Sequence, residues 1–420
     1  MKIAVIGAGS TYTPELTEGL LWEAESLGLQ EVWLQDIDAQ RLEVVGGLVQ
    51  RMAAAQGSPF EVQQVLDRVE AIAGADFVIT QIRVGGQEAR ILDTKICLEE
   101  GLIGQETTGP VGFAKALRTI PVLLEICADL RAYAPKAWLI NFTNPAGIIT
   151  EAVLKYGGVR AVGLCNIPWG LKNAAARACG AAPEDVDLEY VGLNHFSWVR
   201  RIMVQGRDRT AELLEKLAAP ANIPGLSLDP EFQRALGLWP NSYLNYFYLQ
   251  DEMLEHLRSQ PRTRGDVVRE LEAQLLKAYQ DPKLRSKPKE LEKRGGAHYS
   301  TAAVWLIRDL HLNRGGRHIV NVANNGALPD LPAEAVVEVP CLVDAGGARP
   351  LAMGRLEPHI RGLIQHVKAY EELTVEAAVT KDYHTALLAL ATHPLTTSVN
   401  KARRILERFN EAHQLGLAKT

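Results

Sequence analysis

The chain has 420 residues, of which 47% are hydrophobic and 23% charged, the composition of an ordinary water-soluble globular protein. That length buries a large core and makes two domains the natural expectation. A net charge of −5 without a long basic run argues against nucleic acid or a membrane surface as partner.

The five cysteines (Cys97, Cys127, Cys165, Cys179, Cys341) are scattered and odd in number, so no disulfide framework is suggested. A reducing, cytoplasmic location is expected, with no signal peptide and no apolar run long enough to span a bilayer.

Residues 2–6 read as a β-branched, apolar strand. Gly7-Ala8-Gly9-Ser10 follows, and then a helix with Thr13 as N-cap and Pro14 at its first position. Glycines there let backbone amides approach a pyrophosphate, which a helix N-terminus favours electrostatically. Tyr12 stands at the third glycine position, so the fingerprint is incomplete. A second strand, 31–35, ends at Asp36, about where a Rossmann acidic residue bonds the adenosine ribose. Motif, order and spacing together point to a dinucleotide site at this glycine loop and Asp36. As an alternative, Asp36 caps the helix from residue 39.

Strands are expected at 60–65, 76–80, 137–140 and 160–164, and helices at 88–99 and 113–133. The glycine-rich loop 81–86 is placed to cover the nicotinamide half. Arg90 reads by itself as a solvated helix charge. Asn144, before Pro145, is either a helix cap or an amide for a substrate hydroxyl or cofactor ribose. After residue 185 the pattern changes. Long β-like runs at 188–194 and 196–204 suggest antiparallel strands, and helices dominate from 241 onward, starting with 241–259. The basic stretch 283–293 reads as a solvated loop. The expected fold is α/β: a Rossmann-like parallel sheet over 1–185, followed by an α+β domain over 186–420 with antiparallel strands and many helices.

Leu164-Cys165-Asn166-Ile167-Pro168 puts a thiol and an amide beyond the carboxyl end of a buried strand, where ligands bind in open α/β sheets. A free cysteine is most often a small buried hydrophobe, and a lone histidine a satisfied core residue. Asn194-His195-Phe196 ends another apolar run, and thiolate with imidazole makes a half-shell for a transition metal. Tyr243 and Tyr246 share a helical face while Tyr248 points elsewhere. Core packing is the ordinary role of such tyrosines, but a nearby cation lowers a phenol toward use as a base. Arg294, followed by two glycines, suits an anion or sugar hydroxyls, or a capping loop.

Together, Gly7-Ala8-Gly9-Ser10 with Thr13-Pro14, Asn141-Phe142-Thr143-Asn144-Pro145, Cys165-Asn166-Ile167-Pro168, Asn194-His195 and Arg294-Gly295-Gly296-Ala297 resemble glycoside hydrolase family 4. Asn324-Asn325-Gly326 and Val337-Glu338-Val339-Pro340 extend the resemblance over nearly the whole chain. These enzymes are an exception to two-carboxylate glycoside hydrolysis. The resemblance implies NAD and a divalent metal, Mn²⁺ or a similar ion, held by Cys165 and His195. It implies Tyr243 as the base, with Tyr246 as fallback, and Arg90, Asn144, Asn166 and Arg294 against the substrate. Asparagine after the metal cysteine is typical of the 6-phospho-β-glucosidases, whereas aspartate is typical of the α-glucosidases.

The implied reaction is oxidation at C3, deprotonation at C2, elimination of the aglycone, addition of water and re-reduction of a phosphorylated β-glucoside. A homo-oligomer, dimer or tetramer, is expected. The rival readings are an NAD-dependent hydroxy-acid dehydrogenase of the lactate or malate type, an α-glycosidase of the same family, and a non-catalytic NAD sensor.

Overall fold

Short apolar strands alternate with helices through the first half of the chain, and the strands pair in parallel. They are β1 (Lys2–Ile6), β2 (Glu31–Gln35), β3 (Glu61–Val65), β4 (Phe77–Thr80), β5 (Trp138–Asn141) and β6 (Arg160–Gly163), in the order β3-β2-β1-β4-β5-β6. The reversal on either side of β1 creates the crevice in which such sheets bind ligands. The structure is a computed structural model that describes residues 1–221, 223, 225–294 and 299–419.

The sheet does not end at β6. β11 (Gly316–Ala323) pairs antiparallel with β6 through Asn321 opposite Gly163, and β12 (Val336–Asp344) and β13 (Gly347–Pro350) continue it outward. Strands from beyond residue 185 thus share the sheet of the first 185 residues. They share its core as well, where Ile3, Phe77, Leu139, Val320, Val339 and Phe409 belong to one buried apolar cluster. The length of the chain suggests two units, and burying the apolar faces of β11 and β12 sets strands of the later segment against the core of the first.

A second, antiparallel sheet lies beside β12. β7 (Val186–Leu193) and β8 (Phe196–Val204) form a hairpin, β9 (Arg207–Asp208) pairs with β8, and β10 (Trp239–Pro240) pairs with its other portion. Leu193 pairs with Phe196, so Asn194 and His195 are the two turn residues of that hairpin. His195 has φ +63°, a left-handed conformation that few non-glycine residues adopt and that histidine adopts more often than most.

Three local expectations are corrected. Tyr12, not Thr13, is the N-cap of the helix Thr13–Leu27, and no side chain caps it. The Thr13 hydroxyl instead donates to Ala8 O at 2.7 Å and accepts from Gln81 Nε2 at 2.7 Å, tying the glycine loop to the strand ends. The helix expected over 241–259 is broken into a 3₁₀ turn (Ser242–Leu244) and two helices, Asn245–Tyr248 and Gln250–Ser259. Asn245 sits at the break and donates to Pro220 O and Leu226 O, so tertiary bonds override helical continuity. In the basic stretch, Lys287 is not merely solvated but pairs with Glu15 and Glu18. No helix among the described residues is long and apolar enough to cross a membrane.

Candidate active site

One cavity of about 1730 Å³ opens at the carboxyl ends of the parallel strands. It is larger than the few hundred to about 1,000 Å³ of most small-molecule sites. Gly7, Gly9, Ser10 and Asp36 line one part of it, and Asn144, Asn166, His195, Tyr243 and Tyr246 line another. Arg90 and Arg294 line it too. All the candidate residues that the sequence singled out therefore face this space, except Cys165, which is buried directly beneath it.

At the nucleotide end, Gly7 and Ala8 donate to Gln35 O, and Gly9 N donates to Asp36 Oδ2 at 2.8 Å. A Cβ on Gly9 would stand 2.8 Å from Asp36 Oδ2, and Gly7 adopts φ +87° with Ile82 where a Cβ would go. These two glycines are therefore required by close approach. Asp36 does not cap the helix Ala39–Ala55; that role belongs to Asp38, which accepts from Arg41 N at 3.0 Å. Tyr12 fills the absent third glycine position, and the Arg294 guanidinium lies 5.1 Å from its ring centre.

At the other end, Cys165 Sγ lies 3.4 Å from His195 Nε2, although 30 residues separate them. β6 delivers the thiol and the β7–β8 turn delivers the imidazole. The Ile167 N–H, in the first turn of the helix Ile167–Cys179, points at Sγ at 3.5 Å. On the far side of the ring, Nδ1 meets Thr107 Oγ1 at 2.9 Å, which fixes the imidazole's orientation. Burial lowers His195 to about 3, so the ring is a neutral donor. Burial also pushes the Cys165 thiol up, with Glu338 adding to the effect and the Ile167 amide and Asn194 opposing it. A divalent cation reverses that balance by binding the thiolate. No cluster of three or more His, Cys, Asp or Glu occurs among the described residues, so an ion held by this pair would take its remaining ligands from other groups, such as a substrate or water.

Tyr243 stacks flat on His195, with ring centres 3.8 Å apart and an interplanar angle of 3°. Tyr246 lies 6.1 Å from Tyr243 on the cavity wall, whereas Tyr248 packs against Phe232. Burial pushes both cavity phenols up, Tyr246 to about 12 and Tyr243 further, with Cys165 and Glu106 adding to the shift at Tyr243. Tyr243 thus needs a nearby cation before it can serve as a base.

Asn144 is not the cap of the helix Ala146–Ala152; Pro145 occupies that position. The Asn144 Oδ1 atom is buried without a hydrogen-bond partner. Such an atom costs about 1–3 kcal/mol unless a ligand hydroxyl completes it. Asn166 is the N-cap of Ile167–Cys179 by position, and its side chain makes no capping bond.

Arg90 is not a solvated charge. Its Nε pairs with Glu106 at 2.8 Å, and Arg83 Nη1 holds the same carboxylate at 2.7 Å, with Lys115 at 3.8 Å. Burial would raise Glu106, but Arg83, Lys115 and Arg90 outweigh it and hold the group well below the usual carboxylate range. Burial lowers Arg90, and repulsion from Arg83, Arg264 and Arg294 adds to this. Arg294 in turn pairs with Glu272 at 2.8 Å, and Arg41 approaches the same acid at 3.7 Å. Gly295, Gly296, Ala297 and His298 of the Arg294 motif lie outside the described residues. Sequence reasoning missed Arg83, Lys115, Arg264 and Glu272. Only Arg83 carried a local signal, its place in the glycine-rich loop.

Comparison with known proteins identifies the family. The family 4 glycosyl hydrolase model matches residues 2–181, and the family 4 glycosyl hydrolase C-terminal domain model matches residues 190–396. The chain is 43% identical to a probable 6-phospho-beta-glucosidase of Bacillus subtilis, over 99% of this chain and 96% of that protein. It is 38% identical to the 6-phospho-beta-glucosidase of Escherichia coli, over 99% and 95%. The structure of the 6-phospho-beta glucosidase from Thermotoga maritima with manganese, NAD+ and glucose-6-phosphate superimposes with a TM-score of 0.93 at 37% identity, covering 100% of both chains. The chain belongs to the family 4 glycosyl hydrolases.

Proposed function

We propose that this protein hydrolyses 6-phospho-β-glucosides with NAD and a divalent metal, preferably Mn²⁺, by C3 oxidation, C2 deprotonation, elimination, water addition and re-reduction. The observation that carries the reading is the thiol–imidazole pair, Cys165 Sγ to His195 Nε2 at 3.4 Å, with Tyr243 stacked on it inside the cavity that Gly9 and Asp36 enter from the other end. When bound, NAD supplies reversible hydride acceptance at C3 and the divalent ion supplies Lewis acidity beside it.

Gly7, Gly9, Ser10 and Asp36 hold the dinucleotide through loop amides and the Asp36 carboxylate. The first 185 residues thus carry the cofactor, and the remainder contributes His195, Tyr243, Tyr246 and Arg294. Cys165 and His195 hold the metal, whose charge lowers the Tyr243 phenol enough for it to take the C2 proton. Asn144 and Asn166 receive sugar hydroxyls. An amide at position 166 donates no acid proton to the leaving oxygen, which suits an elimination that needs little push there. Arg83, Arg90 and Arg264 take the phosphate, because cations outnumber carboxylates on that wall and planar guanidinium forks match a phosphate. The protein works in the cytoplasm as a homo-oligomer.

The test is release of p-nitrophenol from p-nitrophenyl 6-phospho-β-glucoside in deuterated water, with and without NAD⁺ and Mn²⁺. The expected result is release that needs both, deuterium at C2 of the product and no net NADH. Release without NAD⁺ would overturn the mechanism, and NADH formation from a simple hydroxy acid would move the protein to the dehydrogenases.

A further inference from the structure

Glu338 is fully buried on β12 and makes no ion pair among the described residues. A carboxyl group without a cation is expensive to bury and needs hydrogen-bond partners. Three neutral donors converge on it. Asn194 Nδ2 reaches Oε1 at 3.1 Å, Asn321 Nδ2 reaches Oε1 at 3.0 Å, and the Tyr190 hydroxyl reaches Oε2 at 3.0 Å.

Each donor leads to the candidate site. Asn194 is the turn residue directly before His195, and its side chain also lies within hydrogen-bonding reach of the Cys165 thiol. Asn321 extends to Gly163 O at 3.4 Å, two residues before Cys165. Tyr190 accepts from Ser197 Oγ, which accepts from Asn241 Nδ2 at 2.6 Å. Asn241 Oδ1 then accepts the Tyr243 backbone N–H at 2.8 Å and starts the 3₁₀ turn that carries the stacked phenol. Tyr190, Ser197, Asn241 and Asn321 are all fully buried.

We propose that Glu338 is a positioning residue: its carboxylate anchors the metal pair through Asn194 and Asn321, and the tyrosine base through Tyr190, Ser197 and Asn241. The assignment rests on the reading of Cys165 and His195 as metal ligands and Tyr243 as base. Glu338 accepts from both arms at once, so it fixes the metal pair and the base relative to each other. A neutral amide at the same position cannot do this. Glutamine offers one oxygen and one N–H₂, and the N–H₂ would face the Tyr190 hydroxyl, reversing the relay toward Asn241.

The experiment uses the full-length protein with Co²⁺ or Mn²⁺, comparing wild type, Glu338→Gln and Tyr190→Phe. Metal affinity, the thiolate-to-Co²⁺ absorption band, NAD binding, kcat and KM are measured for each. Glu338→Gln is expected to weaken metal binding ~10–100-fold and to shift the thiolate band while NAD still binds. Tyr190→Phe cuts only the arm to Tyr243, so it is expected to lower kcat ~10-fold with metal affinity and KM unchanged. Wild-type metal affinity and kcat in a Glu338→Gln protein that binds NAD would overturn the proposal. If Glu338→Gln loses NAD binding as well, Tyr190→Phe decides, and an unchanged kcat there overturns it. Absence of the thiolate band in the wild type would overturn the metal-pair reading itself, an outcome separate from either of these.

Discussion

Glu106, in the loop before the helix Gly109–Tyr133, is gripped by Arg83 at 2.7 Å and Arg90 at 2.8 Å, whereas Glu338, on β12, meets only amides and a phenol. Cations hold the first well below the usual carboxylate range, while burial raises the second to about 7 against the pull of its three hydrogen bonds. The difference separates two kinds of polar construction. On the cavity wall, charge is abundant and cations outnumber acids, so the wall keeps a positive excess for an anionic substrate. Around Glu338 no cation takes part and direction matters, because two amides and a phenol must all aim their donors at one carboxylate. Substitutions on the wall should therefore change chemistry and substrate affinity, and substitutions behind it should change geometry and stability.

The largest effect is expected where the wall meets the scaffold. Tyr243→Phe keeps the stack on His195 and the backbone bond to Asn241, and removes only the hydroxyl. It should lower kcat ~10²–10⁴-fold, the range for loss of a positioned base, with metal affinity unchanged. Deuterium incorporation at C2 should fall in parallel. Tyr246, 6.1 Å from Tyr243 and not stacked on the imidazole, should cost far less as phenylalanine. A larger loss at Tyr246 than at Tyr243 would exchange their roles.

A purely wall-side change comes next. Arg90→Met should raise KM for the phosphorylated glucoside about 10–100-fold, the worth of one or two charged hydrogen bonds. The unphosphorylated glucoside should show no such shift. Equal loss for both substrates would mean that Arg90 contacts the sugar or only supports Glu106, and the phosphate would then belong to other cations.

The sequence carried the wall unevenly. Local chemistry was legible: the glycine loop with Asp36, and a thiol and an imidazole each at a strand end, brought to 3.4 Å by the fold. What failed was everything decided by distant partners. Arg90 read as a solvent charge because Glu106 sits 16 residues on, in a loop with no pattern of its own. Thr13 read as a cap, and Asn144 as a cap or a ligand amide, because the cap rule is local; the fold turns Thr13 toward Ala8 and Gln81 and leaves Asn144 Oδ1 buried without a hydrogen-bond partner. The Glu338 network was illegible for the same reason, since Asn194 and Glu338 lie 144 residues apart. The change of pattern after residue 185 was real, but β11–β13 return to the first sheet, and strand alternation alone does not say which sheet a strand joins.

The smallest expected effect lies deepest in the scaffold and probes its lack of charge. His393 is buried edge-on against Tyr370 at 4.4 Å, and its Nδ1 accepts the Leu395 N–H at 3.0 Å. Burial, with His366 adding to it, lowers the imidazole to about 3. An unfolded histidine titrates near pH 6.5, so between those values the unfolded chain binds a proton that the native one refuses. The stability tied to His393 is therefore complete above about pH 6.5 and is lost as pH falls, at about 1.4 kcal/mol per pH unit. His393→Asn keeps an acceptor for Leu395 N–H and cannot take up the proton. Urea unfolding of the metal-free protein at pH 8 and pH 5.5 should show the variant losing about 1.4 kcal/mol less than wild type between the two. His195, lowered for the same reason, stays in both proteins and contributes equally to each. An identical loss in variant and wild type would mean that His393 is charged in the native state, against the burial that lowers it.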